Sequence, residues 1–161
     1  MLRLASYDMV FREVPGEVTL ALNIAGCPNR CPGCHSPHLQ EETGELLDDA
    51  LLAGLLDRYG VAATCVCLMG GDVDPAEVAR LAVLVRSTAG GRLKTGWYSG
   101  RAVLPEAFPL SDFNFIKLGP YVKALGGLDR ESTNQRFYRV EDGKLIDLTA
   151  TFRKKPFSDN A

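Results

Sequence analysis

Three observations make this sequence an α/β fold with a mainly parallel sheet. Apolar, strand-like runs alternate with segments of helical spacing, the pattern that lays helices over a parallel sheet. The run Val61 to Met69 (VAATCVCLM) is apolar except at Thr64, as a strand covered on both faces requires. The chain has 161 residues, 46% hydrophobic and 24% charged. That is the size and balance of a single domain over 1–161, burying about 68–70% of its unfolded surface.

The elements follow in order. Val18 to Ile24 (VTLALNI) reads as a buried strand that ends at Ala25-Gly26, before a proline-rich loop from Cys27 to His38. Leu47 to Leu56 has helical spacing, with Leu47, Ala50, Leu51 and Leu55 on one stripe. The strand Val61 to Met69 is broken by Gly70-Gly71. A second helix opens at Asp74-Pro75: Asp74 suits the N-cap, Pro75 the first helical position, and Glu77 completes a capping-box-like arrangement. Its buried stripe is Val78, Leu81, Ala82 and Val85. Leu93 to Tyr98 and Phe113 to Leu118 read as further strands, with a weakly periodic helical piece at Arg101 to Ala107 between them. Arg136 to Val140 and Lys144 to Leu148, turning at Asp142-Gly143, form a hairpin.

Charge and hydropathy narrow the function. A net charge of −2 and a pI near 5.7 leave no basic field for nucleic acid or an anionic membrane. Arg3 and Asp8 interrupt the first ten residues, and no run approaches the 18 apolar residues of a membrane span. The expectation is a soluble, cytoplasmic protein without nucleic-acid or membrane partners. In that compartment clustered cysteines bind metal or do chemistry more often than they form disulfides.

Five cysteines fall into two sets. Cys27, Cys31 and Cys34 lie within eight residues, spaced Cx3Cx2C, directly after the first strong strand. Thiolates are soft ligands, and three on one short loop can converge on one inorganic centre. An iron–sulfur cluster normally takes four cysteines, so a loop supplying three would leave one iron open for a substrate. A structural zinc site using His35 or His38 as a further ligand stands beside this reading, as does a metal-free packing role. Cys65 and Cys67 differ: two apart on an apolar strand, they share one face and read as core. Ligands in α/β folds gather at the carboxyl ends of strands, so the cysteine loop and Gly70-Gly71-Asp72 belong on one rim.

These residues resemble the radical S-adenosylmethionine (SAM) superfamily, whose signature is Cx3Cx2C. Within it the chain most resembles the activating proteins of anaerobic ribonucleoside-triphosphate reductase. The likeness covers nearly the full length. It runs through Gly26-Cys27 to Cys34 (the cluster loop), Gly70-Gly71-Asp72 (the methionine-binding motif) and Lys94-Thr95-Gly96-Trp97 (a later strand). It continues in Leu118-Gly119-Pro120-Tyr121 and Ser132-Thr133-Asn134-Gln135-Arg136. Two positions depart from the pattern: Gly33, where many members carry an aromatic, and Leu118, where the family tends to an acidic residue.

The resemblance implies a partial (β/α) barrel of mainly parallel strands with a short C-terminal hairpin. It implies one [4Fe-4S] cluster per chain on Cys27, Cys31 and Cys34, with SAM on the fourth iron. Gly33, Cys34, His35, Gly70, Gly71, Asp72 and Thr95 would then contact the cofactors, and no side chain would itself be catalytic. The glycines would let backbone approach methionine closely, and Asp72 would accept from its ammonium. The implied activity is an oxidoreductase of the glycyl-radical-activase type. It cleaves SAM reductively to a 5′-deoxyadenosyl radical, which takes hydrogen from a glycine of the reductase. An electron donor such as flavodoxin or ferredoxin is implied, and a homodimer is compatible. The rival functions are activation of another glycyl radical enzyme of the formate-lyase type, and a non-catalytic zinc- or cluster-binding module. Lys117 reads as a solvated lysine or a partner for a carboxylate, Trp97 and Tyr98 as packing, and Asn134, Gln135 and Arg136 as loop-fixing or partner-recognising.

Overall fold

The computed structural model describes residues 1–153. Its strands are β1 (Arg3–Val10), β2 (Thr19–Ile24), β3 (Glu45–Leu46), β4 (Cys65–Met69), β5 (Lys94–Tyr98), β6 (Phe115–Leu118), β7 (Arg136–Glu141) and β8 (Lys144–Asp147). The helices are α1 (Asp49–Tyr59) and α2 (Pro75–Thr88). All eight strands form one sheet in the order β3-β1-β2-β4-β5-β6-β7-β8.

The centre of that sheet is parallel, as the alternating pattern requires: β2, β4, β5 and β6 run side by side in the same direction. The flanks are antiparallel, with β1 and β3 on one side and the β7–β8 hairpin on the other. The fold is therefore an α/β mixed sheet with edges at β3 and β8, and not a closed barrel.

Each parallel strand is covered on both faces. Val66 and Leu68 of β4 pack with Trp97, α1 residues Leu52 and Leu55, and α2 residues Val78, Leu81 and Val85. Cys65 and Cys67 point the other way, into a second cluster with Val14, Phe115 and Phe137. Phe137 stacks on Phe115, with ring centroids 5.8 Å apart, and Phe152 closes on it edge-on.

Local signals account for the ends of the elements. Asp74 caps α2 by accepting from the Glu77 amide at 3.2 Å, and Pro75 opens the helix. Asp48 caps α1 through the Leu51 amide at 2.8 Å. Asp142 and Gly143 both take positive φ, +51° and +71°, which is the two-residue turn that matches hairpin twist.

Several expectations change. The buried face of α1 is Leu52, Leu55 and Leu56, while Ala50 of the expected stripe is exposed and Leu47 precedes the helix. The strand from Val61 starts only at Cys65, because Val61 is 88% exposed and residues 60–63 form turns after α1. No helix forms at Arg101–Ala107: Pro105 and Pro109 restrict the backbone, Ala107 adopts φ +55°, and only a 3-10 turn at Leu110–Asp112 follows. The sequence reading assigned no strand to β1 or β3. β1 buries only Leu4 fully and β3 is two residues long, so neither makes an apolar run. Among the described residues, no helix is long and apolar enough to cross a membrane.

Candidate active site

The four parallel strands all discharge into one cleft at their carboxyl ends. β2 runs on into the cysteine loop, β4 into Gly70-Gly71-Asp72, β5 into Ser99-Gly100 and β6 into Gly119. Cys27, Cys31 and Cys34 line this cleft of about 580 Å³ with Gly70, Asp72, Tyr98, Gly100, Lys117 and Gly119. The shared rim inferred from topology is thus the arrangement found.

The cysteine loop is folded by its own backbone. Gly26 and Gly33 take φ of +77° and +74°, and Arg30 one of +45°. The loop base is tied where the Gly26 amide donates to the Glu41 carbonyl at 3.1 Å and the Cys27 amide to the Leu39 carbonyl at 2.9 Å. Within the loop, the Cys34 amide donates to the Cys31 carbonyl at 3.1 Å. All three thiols are half-buried. Two receive N–H donors: Asn29 Nδ2 lies 3.6 Å from Cys27 Sγ, and the Ser36 amide lies 3.4 Å from Cys34 Sγ.

Asp72 is buried at the head of the cleft, with three donors on its carboxylate. The Ser99 hydroxyl donates at 2.6 Å, the Gly100 amide at 2.8 Å, and the Asn29 side-chain amide makes the third bond. These bonds join the end of β4 to that of β5 and to the cysteine loop. The sequence expectation gave Asp72 to the ammonium of methionine; here its bonds are internal.

Lys117 is the principal surprise. It is 8% exposed, not solvated, and donates to the carbonyls of Ser99 at 3.0 Å and Gly119 at 2.8 Å. Burial pulls its ammonium down to about 8, opposed by the attraction of Asp72 and then of the thiols of Cys31, Cys27 and Cys34. It also stands 5.9 Å from the centre of the Tyr98 ring.

The remaining expected residues divide. Gly70 is on the cleft wall, yet its amide donates to Tyr98 and its carbonyl accepts from Trp97 Nε1 at 2.7 Å. A Cβ on Gly70 would meet the Ile24 carbonyl oxygen at 3.1 Å, and one on Gly71 would meet Val78 at 2.5 Å. Both glycines take left-handed φ, +108° and +89°, so packing and backbone geometry demand them, independent of any ligand. Gly33 is turned toward Tyr121 and Lys123. His35 faces the cleft and meets the Tyr121 ring edge-on at 4.9 Å.

Thr95 is a correction. It lies in the first half of β5, level with Val66, and its hydroxyl donates to the Asp112 carbonyl at 2.7 Å. It faces the helix layer rather than the cleft. Tyr98, read as packing, does line the cleft, as does Gln135, whose amide reaches the Gly119 carbonyl at 3.4 Å. Asn29 and Gly100 were missed. Nothing in their spacing marks them, because their role exists only once β4, β5 and the loop meet.

The donor chemistry fits an iron–sulfur cluster: three soft thiols on one cleft wall, two of them receiving N–H donors, beside a buried cation. Among the described residues, no three His, Cys, Asp or Glu side chains are gathered closely enough to hold a metal ion as the loop stands. The cleft has the size of a small-molecule site. No protein-family model matches the chain, and neither does any curated protein or solved structure.

Proposed function

We propose that the chain is a cytoplasmic iron–sulfur enzyme of the radical SAM type that generates a glycyl radical on anaerobic ribonucleoside-triphosphate reductase. One observation carries this reading: the Cx3Cx2C loop opens at the carboxyl end of the first parallel strand into a cleft shared with Gly70 and Asp72. Four adjacent parallel strands, with α1 and α2 packed together over Val66 and Leu68, support a partial (β/α) barrel.

Cys27, Cys31 and Cys34 would hold the cluster, and SAM would occupy the cleft beside it. When bound, this pair supplies the one-electron cleavage of a sulfonium C–S bond that yields a 5′-deoxyadenosyl radical. The chain's own residues do the rest. Lys117 puts a buried positive charge beside the thiols, which stabilises anionic groups in the cleft where water screens least. Asp72 fixes the strand ends on which the site is built, and the Tyr98 ring forms an apolar wall that excludes water.

Anaerobic reconstitution with iron and sulfide, followed by SAM, dithionite and the reductase, tests the reading by electron paramagnetic resonance. A glycyl doublet on the reductase is expected. A doublet on a formate-lyase-type enzyme alone would transfer the assignment to that partner. Stoichiometric zinc with intact SAM would sink the enzyme reading.

A further inference from the structure

Asn29 sits between two groups that the sequence does not connect. Its side-chain nitrogen donates to the Asp72 carboxylate and lies 3.6 Å from Cys27 Sγ. Asp72 is itself immobilised by the Ser99 hydroxyl and the Gly100 amide. Space for the amide exists only because residue 100 has no side chain. A Cβ there would stand 2.5 Å from Asn29 Nδ2 and 3.1 Å from its Cγ. We infer that Asn29 is a positioning residue: Asp72 aims its amide at the Cys27 sulfur, and Gly100 keeps the space for it. The role of Asp72 is then to order the cysteine loop from the end of β4, through Asn29.

The consequence for the sulfur follows from charge. An N–H donor withdraws electron density from a cysteine sulfur and stabilises the more negative, reduced state of a cluster bound there. Losing the donor makes such a cluster harder to reduce. This consequence rests on the function proposed above; the hydrogen bond itself does not.

The test has two readouts on the full chain. In the metal-free protein, both Asn29 side-chain amide protons should exchange slowly with solvent by nuclear magnetic resonance. Gly100→Ala should make them exchange fast although Asn29 is untouched. Fast exchange in the wild type, or no change in Gly100→Ala, overturns the inference. After reconstitution, Asn29→Leu and Gly100→Ala should both shift the cluster midpoint potential to more negative values at unchanged iron content. An unchanged potential in a folded, fully loaded variant overturns the role at Cys27. If the wild type takes up no cluster, the proposed function falls, and the exchange measurement alone decides the inference.

Discussion

Cys31 and Cys65 share a side chain and almost nothing else. Cys31 is half-buried on a loop beyond the end of a strand, where left-handed residues bend the backbone around a cleft. Cys65 is fully buried within β4, and burial pushes its thiol up to about 12. Cys67 is driven up by burial too. A thiol that cannot ionise cannot bind metal or attack an electrophile. The comparison teaches that place decides the chemistry: inside a strand a cysteine packs, and past the strand's carboxyl end it is available.

The largest effect should come from removing one member of each set. Cys31→Ala is expected to abolish cluster uptake, while Cys65→Ala keeps it at about four irons per chain. Iron and sulfide analysis after reconstitution reads this directly, and equal loss in both variants would break the division. Native-state alkylation sharpens it without any metal. At pH 8, iodoacetamide should modify Cys27, Cys31 and Cys34 more than about a hundredfold faster than Cys65 or Cys67. Mass spectrometry of partly labelled protein gives the order, and early labelling at Cys65 would contradict its burial.

The two sets were legible in the sequence to different depths. Cys65 and Cys67 declared themselves by period and neighbours, since a β-strand sends residues two apart to one face. The spacing of the three loop cysteines and the strand before them placed all three on one rim, where they line a single cleft. Asn29 and Gly100 carried no such signal: their contact joins residues 71 apart through a third, Asp72, and only the assembled strand ends create it. Lys117 failed for a related reason. Its position at the end of β6 was visible, but its burial depends on Tyr98, Ser99 and Gly119 closing over it. Thr95 failed in the opposite sense, because resemblance placed it near a ligand while strand register puts it several residues short of the rim.

A smaller effect ties Cys65 to pH. Its ordinary value is 9.0 and its folded value about 12, so between these the native state holds a proton that the unfolded chain has released. Stability contributed by this thiol therefore falls as pH rises through that window, by up to about 1.4 kcal/mol per unit. Lys117 works oppositely: lowered from 10.5 to about 8, it favours folding as pH rises between those values. Comparing wild type with Cys65→Ala cancels the lysine. The variant should be about 1–2 kcal/mol less stable at pH 7, and the gap should narrow by about 1 kcal/mol by pH 10. Urea unfolding at both pH values measures it, and a constant gap would mean the thiol titrates alike in both states.

The smallest effect concerns the space around Cys67. A Cβ on Gly96 would lie 3.2 Å from Cys67 Sγ and 3.6 Å from Phe115 Cβ, in a buried layer with Phe137, Val14 and Cys65. Gly96 lacks the positive φ that bars a side chain at Gly33, so only packing opposes alanine here. Gly96→Ala alone should cost about 1 kcal/mol by overpacking, and Cys67→Ala alone about 1–2 kcal/mol from the cavity it leaves. Together the new methyl occupies part of the space the sulfur vacates. The double variant should then be about 0.5–1 kcal/mol more stable than the sum of the single changes. Gly33→Ala has no such rescue, because its φ of +74° strains the backbone whatever its neighbours are. Additive costs for Gly96 and Cys67 would mean that the second face of β4 is loosely packed, and that burial alone does not hold these two thiols inert.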